Sequence, residues 1–156
     1  MIALDAMGGD HAPDELVAGA VEAVGDGVEV VLVGEESVLS RALEPHGVDV
    51  PIVHASEVIG MGDDPARALR EKPDASVCVA AKLVRSGDAD GFVAAGSTGA
   101  AMAAAAILMG RVRGVSRPSI ASIWPTPPNP TVVLDSGANP DVKPGHLLQF
   151  ALMGAV

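Results

Sequence analysis

The stretch IALDAMGGDHAPDELVAGAVEAVGDGVEVVLVG, residues 2–34, places a helical pattern between two short apolar runs. The first run, Ile2–Ala6, is followed by a turn rich in glycine. Pro13 and the acids after it are typical of a helix start, because proline has a helical φ and acids favour the positive end of a helix. The second run, Val28–Val33, contains mostly β-branched residues, as buried strands do. The stretch therefore predicts a strand, a helix and a second strand in succession.

The same alternation continues along the chain. Further strands are predicted at Val50–Ala55, Phe92–Ala95, Ile120–Trp124 and Thr131–Leu134. Further helices are predicted at Glu35–Leu43, from the cap at Asp63 and Asp64 to Arg70, from a cap at Asp74 to Arg85, at Thr98–Gly110 and at Pro144–Val156. Strands that alternate with helices predict an α/β sheet covered on both faces, with its site at the carboxyl ends of the strands. Because no linker is visible and the last helix has no cap, we expect residues 1–156 to be the amino-terminal part of a single α/β domain, truncated at its carboxyl end.

Composition excludes several classes of protein. The 156 residues include 20 acids and only 10 Lys and Arg, giving a net charge of -10, so a general nucleic-acid binder is not expected. The single cysteine, Cys78, excludes an intrachain disulfide and a multi-cysteine zinc site, and its apolar neighbours predict a core position. The four histidines show no pairing at metal-ligand spacing, so no metal is expected. The uncharged stretch Gly91–Gly110 is interpreted as a strand, a turn and an Ala-rich helix rather than a membrane span.

Three loops follow predicted strands and carry polar residues or glycine. The first contains Gly8, Gly9, Asp10 and His11; the second contains Gly96, Ser97, Thr98 and Gly99; the third contains Asp135 and Asn139. Glycines let a backbone approach a ligand, and a turn between a strand and a helix offers N–H groups to an anion. Each loop also has a simpler interpretation: a tight turn with Asp10 capping the helix, a plain N-cap at Ser97, and an Asx-type turn at Asp135.

Positive charge is concentrated in one segment. Arg111, Arg113 and Arg117 are three of the ten basic residues and lie within seven positions of each other. On an acidic chain such a cluster indicates a contact for an acidic partner. A solvated loop is the alternative.

Four motifs in this order carry a more specific signal: MGGDHAP at Met7–Pro13, AAGSTGA at Ala94–Ala100, RPSIA at Arg117–Ala121 and LDSGANPDVKPGHLLQFALMG at Leu134–Gly154. Together they closely resemble the PlsX-type family, the phosphate acyltransferases that use acyl carrier protein, over the whole chain and over the amino-terminal portion of such an enzyme. Ser97 stands where the family usually has Asn, and Ser136 and Pro140 replace apolar residues.

The resemblance implies a Rossmann-like three-layer α/β sandwich of the isocitrate and isopropylmalate dehydrogenase type, present here in part, and a homodimer. It implies transfer of a fatty acyl group from acyl carrier protein to inorganic phosphate, giving the acyl phosphate used in phospholipid synthesis. We expect no cofactor, no metal and no nucleic acid. A cytoplasmic location is expected, with peripheral membrane association through the missing carboxyl-terminal part. The 156-residue fragment is expected to be inactive on its own if that part completes the site.

Phosphate is itself the nucleophile in this reaction, so the protein has to hold an anion beside a thioester and stabilise the developing oxyanion. We expect Gly8, Gly9, Gly96, Ser97, Thr98, Gly99 and Asp135 to bind substrate, and Asp10, His11 and Asn139 to orient the reacting groups. Arg111, Arg113 and Arg117 are expected to bind the carrier. The alternatives are a phosphate acetyl- or butyryltransferase that uses coenzyme A thioesters, and a non-catalytic binding module.

Overall fold

The computed structural model describes residues 1–139 and 141–156, so Pro140 lies outside the described residues. Contacts within the chain divide it into two compact units, Met1–Gly110 and Arg111–Val156. The sequence predicted that residues 1–156 are the amino-terminal part of a single α/β domain, and this stays a prediction.

The first unit alternates strands and helices as the sequence predicted. Its strands are β1 (Ile2–Asp5), β2 (Val30–Gly34), β3 (Ile52–His54) and β4 (Gly91–Ala94). Its helices are α1 (Asp14–Gly25), α2 (Glu36–Leu43), α3 (Pro65–Glu71), α4 (Ser76–Ser86) and α5 (Thr98–Ala104), with a single 3-10 turn at Glu44–His46 and a π-helical turn at Ala105–Met109.

The four strands form one parallel sheet in the order β3-β2-β1-β4. Alternate side chains of each strand enter different cores, because successive residues of a strand point to opposite faces. Leu4 and Leu32 pack with Val17 of α1 and Leu39 of α2 on one face. Ala3, Val31 and Val33 pack with Ala80 of α4 on the other face. The first unit is therefore a three-layer α/β/α sandwich, consistent with a Rossmann-like fold.

Two details of the predicted helices are wrong. Asp74 does not cap α4, whose N-cap is Ala75; its carboxylate instead accepts hydrogen bonds from the Ser56 N–H at 2.9 Å and the Ser56 hydroxyl. The helix predicted at Thr98–Gly110 is α-helical only to Ala104 and continues as the π turn. Cys78 is fully buried, which confirms its predicted core position.

The second unit contains an antiparallel ribbon and a helix. The ribbon pairs β5 (Ser122–Trp124) with β6 (Thr131–Val133), and the helix is α6 (Pro144–Gly154). The side chains of Ile123 and Trp124 on the ribbon are 75% and 56% exposed. Helix α6 buries Phe150 and leaves three leucines, Leu147, Leu148 and Leu152, exposed. In the parts of the chain that the structure describes, no helix combines the length and apolar character needed to cross a bilayer.

Candidate functional site

The loops after β1 and β4 begin side by side at one edge of the sheet. Asp5, the last residue of β1, is in register with Val33 of β2 and with Ala94, the last residue of β4. The chain places β2 and β3 on one side of β1 and then returns to place β4 on the other side. Such a reversal of strand order opens a crevice at the carboxyl ends of the strands, which is where α/β proteins bind ligands.

Two glycines bring these loops into backbone contact. A Cβ added to Gly96 would lie 3.1 Å from Gly8 Cα, and one added to Gly8 would lie 3.3 Å from Gly96 Cα and 2.7 Å from Asp5 Oδ2. Gly9 has a φ of 118°, in the region that favours glycine, and an added Cβ would lie 3.3 Å from the Ala95 carbonyl oxygen. The first two predicted loops therefore contact each other, with Gly8 and Gly9 packed against the loop of Gly96. The backbones lie too close together there to leave room for a side chain.

Asp10 and His11 are exposed in the loop between Gly9 and helix α1. Helix α1 has Pro13 as its N-cap and no side-chain cap. The alternative in which Asp10 caps this helix is therefore wrong. Both side chains border the loop that meets Gly96, and their roles toward substrate stay predictions.

Ser97 is the N-cap of α5, and its Oγ accepts a hydrogen bond from the Ala100 N–H at 3.3 Å. The simpler interpretation of this loop, an N-cap, is thus confirmed, and a substrate role for Ser97 and the exposed Thr98 stays a prediction. A Cβ added to Gly99 would lie 2.8 Å from Pro65 Cγ at the start of α3. Glycine at this position lets α3 and α5 approach each other closely, which accounts for Gly99 by packing.

Sequence reasoning missed Asp5 as a site residue. Its side chain is 4% exposed and lies directly beneath Gly8, and its Oδ1 accepts the Met7 N–H at 3.2 Å. Burial raises the pKa of Asp5, while hydrogen bonds from the buried Ser76 hydroxyl and from the Met7 and Gly8 N–H groups act in the opposite direction. An acid at the carboxyl end of a buried apolar strand was the available signal, since buried carboxyl groups are rare unless they have partners.

In the second unit, Asp135 and Asn139 belong to one hydrogen-bond network. Asp135 accepts the Ile120 N–H at 2.9 Å through Oδ1, and the Asn139 N–H at 2.6 Å and Nδ2 at 3.0 Å through Oδ2. Asn139 Nδ2 also donates to the Pro118 carbonyl oxygen at 2.9 Å. The network fixes the third predicted loop against the segment that contains the RPSIA motif.

The three arginines of the predicted partner contact are exposed in the second unit but do not behave alike. Arg111 Nη1 donates to the Ser116 carbonyl oxygen, and Arg117 Nη1 donates to Asn139 Oδ1 at 3.2 Å. Arg117 therefore supports the third loop, whereas the charges of Arg111 and Arg113 face solvent.

The structure thus brings Gly8, Gly9 and Gly96 together in the first unit and Asp135, Asn139 and Arg117 together in the second. That these two sets form a single site stays a prediction. Across the described ranges, no three His, Cys, Asp or Glu side chains are arranged to hold a metal ion.

Comparison with known proteins gives a consistent result. A family model described as "Fatty acid synthesis protein" matches residues 1–156. A phosphate acyltransferase of Oleidesulfovibrio alaskensis is 52% identical and is matched by 98% of this chain, which covers 45% of that protein. Phosphate acyltransferases of Desulforamulus reducens and Heliobacterium modesticaldum are 48% and 51% identical, with 99% of this chain covering 47% and 48% of them. The chain spans about half the length of these relatives.

Proposed function

Because this chain belongs to the fatty acid synthesis protein family over residues 1–156, we propose that the protein transfers an acyl group from acyl carrier protein to inorganic phosphate. A phosphate oxygen attacks the thioester carbonyl carbon, the carbon–sulfur bond breaks, and the carrier thiol leaves with the proton that phosphate gives up. The product is an acyl phosphate, a donor for phospholipid synthesis. The protein's task is to hold phosphate at the carbonyl and to stabilise the oxyanion that forms there.

The observation that carries this proposal is the contact between the Gly8 and Gly96 loops at the crevice of the sheet. Close backbones without side chains leave N–H groups accessible to an anion, as in other nests of backbone donors. In this proposal the Gly8, Gly9 and Gly96 backbones bind phosphate or the oxyanion. Ser97, Thr98 and Gly99 contribute from the start of α5, and Asp10 and His11 orient the reacting groups.

In the third loop, which belongs to the second unit, Asn139 is proposed to orient the reacting groups. Asp135 holds Asn139 through two hydrogen bonds, so the Asn139 side chain has a fixed orientation from which to position a substrate. We also propose that the complete fold is of the isocitrate and isopropylmalate dehydrogenase type and that the protein is a homodimer. A cytoplasmic location with peripheral membrane association is part of the same proposal.

A release assay on the protein at its natural length tests the function. We expect phosphate-dependent release of free carrier from acyl-acyl carrier protein, with a kcat/KM at least about 10-fold higher than for the matching coenzyme A thioester. A preference for coenzyme A would support the acetyl- or butyryltransferase alternative. No release with either donor would reject the proposal in favour of a binding module.

Three alanine variants in the same assay test the residue assignment. Thr98→Ala, Ser97→Ala and His11→Ala should each lower kcat/KM for phosphate by about 5- to 100-fold, since each removes a group placed at the anion. Ser37→Ala, which changes an exposed hydroxyl on α2, is the matched control and should have no effect. Unchanged phosphate kinetics in all three variants would reject the assignment.

The exposed arginines predict how the carrier binds. Arg111→Gln with Arg113→Gln should raise the KM for the acidic carrier about 3- to 10-fold at low salt and weaken its salt dependence, because exposed charges attract through a screened field. Arg117 stays unchanged in this variant because it supports Asn139. Arg67→Gln on α3, where the side chain pairs with Glu71, is the charge-matched control. If Arg67→Gln raised the KM for the carrier as much as the double change at Arg111 and Arg113, the carrier would bind at another surface.

A further inference from the structure

The carboxylate of Asp5 lies between the loop after β1 and the first turn of α4. Its Oδ1 accepts the Met7 N–H at 3.2 Å, and its Oδ2 is so close to Gly8 that an added Cβ there would be 2.7 Å away. The hydroxyl of Ser76, the buried first residue of α4, acts to lower the pKa of Asp5, against the larger effect of burial. The buried Asp5 side chain thus lies between the turn at Gly8 and helix α4.

The helix to which Asp5 connects is itself fixed. Ser76 is 1% exposed, and its N–H donates to the Glu57 carbonyl oxygen at 3.0 Å. Helix α4 spans Ser76–Ser86, and a carboxylate at its start lies at the positive end of the helix dipole. These partners reduce the cost of burying the carboxylate but do not cancel it, because the pKa of Asp5 stays raised.

The charge of Asp5 does not itself favour phosphate. A buried carboxylate is costly to maintain, which is the reason burial raises the pKa of Asp5. Beside an anion-binding loop, its negative charge opposes a second anion. The side chain contributes to the geometry of the turn, because it accepts the Met7 N–H and packs directly against Gly8.

From this arrangement, and resting on the proposed function, we propose that Asp5 is a positioning residue. It fixes the Met7–Gly9 turn against Gly96 and so sets the position of the Gly9 and Gly96 N–H groups, which would bind phosphate in place of the N–H groups that Asp5 itself accepts. The role acts through the loop, without contact between Asp5 and substrate. It assigns a function in the reaction to a side chain that the sequence analysis did not name as a site residue.

The KM for phosphate tests this role in the natural-length protein. Asp5→Ala should raise the KM for phosphate about 10-fold, because it leaves the turn without its acceptor, and should change the KM for the acyl donor less than about 2-fold. Asp5→Asn keeps an acceptor for the turn and removes the opposing charge, so it should bring the phosphate KM back to within about 3-fold of wild type. Ser76→Ala should have an intermediate effect.

Val33→Ala is the control for a merely structural effect. Val33 is fully buried and in register with Asp5, so its truncation lowers the melting temperature without removing a bond to the turn, and the phosphate KM should not change. An unchanged phosphate KM in Asp5→Ala would overturn the positioning role, as would an equal rise in Val33→Ala. A loss of kcat in both Asp5→Ala and Asp5→Asn, with KM unchanged, would overturn it in favour of acid–base catalysis.

Hydrogen exchange separates this inference from the proposed function. The Met7 and Gly8 amides should lose protection at least about 10-fold in Asp5→Ala but not in Val33→Ala. If wild-type protein shows no phosphate-dependent release, the proposed function fails while the exchange result still decides whether Asp5 fixes the turn. Unchanged protection of both amides would overturn the inference independently of any activity.

Discussion

Gly8→Ala is expected to lower kcat/KM for phosphate by about 100-fold, because a shift of the order of 1 Å in a positioning loop has effects of that size. The new Cβ would lie 2.7 Å from Asp5 Oδ2 and 3.3 Å from Gly96 Cα. The carboxylate is buried and hydrogen-bonded, and the second contact is backbone, so neither neighbour can move without displacing the loops. The φ of Gly8 lies outside the positive region, so the effect measures contact rather than backbone strain.

Unfolding of the same variant provides the control. Gly8→Ala should lower the free energy of unfolding by about 1–3 kcal/mol, as overpacking does. Gly19→Ala in helix α1 meets no atom within 4 Å and should instead raise it by about 0.5–1 kcal/mol. Combining Gly8→Ala with Asp5→Ala removes the closest contact, so the two losses of stability should add up to more than the loss in the double variant. Normal phosphate kinetics in a folded Gly8→Ala protein would contradict the proposed crevice.

The second large effect is expected from Asp135→Asn. This change replaces one carboxylate oxygen by an NH2 group, which donates hydrogen bonds but cannot accept one. Either the Ile120 bond or both Asn139 bonds are lost, and unpaired donors remain in a partly buried network. We expect the unit containing residues 111–156 to lose about 2–3 kcal/mol of unfolding free energy, measured by calorimetry. If Asn139 positions a substrate, the same variant should also show a kcat/KM about 100-fold lower than wild type.

The effect of Asp135→Asn should depend on pH. Desolvation raises the pKa of Asp135, but hydrogen bonds from Ile120 and Asn139 outweigh it and hold the pKa below its usual value. The stabilisation is therefore present above the ordinary aspartate pKa and is lost as pH falls through the lowered value. The difference in unfolding free energy between wild type and Asp135→Asn should therefore become smaller at acidic pH. Asp141→Asn, an exposed change of the same charge in the same loop, should alter neither stability nor activity.

The elements of the first unit were predictable because each has a local signal. Pro13 and its acids mark the start of α1, and the β-branched run ending at Gly34 marks β2. The short apolar runs, which are typical of strands buried on both faces of a sheet, can also be recognised in the sequence. The predicted cap at Asp74 was wrong because that carboxylate binds Ser56, a partner 18 residues away.

The order of strands is not encoded locally, so the sequence could not place β4 beside β1. That placement makes neighbours of Gly8 and Gly96, which are far apart in the chain. The glycines identified both loops as candidate binding loops in the sequence. They could not show that Gly8 and Gly96 contact each other, so that neither position has room for a side chain. Asp5 was missed for the same reason, since its partner Ser76 comes from a helix much later in the chain.

The exposed ribbon of the second unit has a spectroscopic consequence. The chain contains one tryptophan, Trp124, and its indole is 56% exposed on β5. Tryptophan fluorescence, excited at wavelengths that phenylalanine does not absorb, therefore originates from residues 111–156. A water-exposed indole emits at long wavelength, so a blue shift on mixing with another protein or with lipid would show directly that the ribbon has become covered.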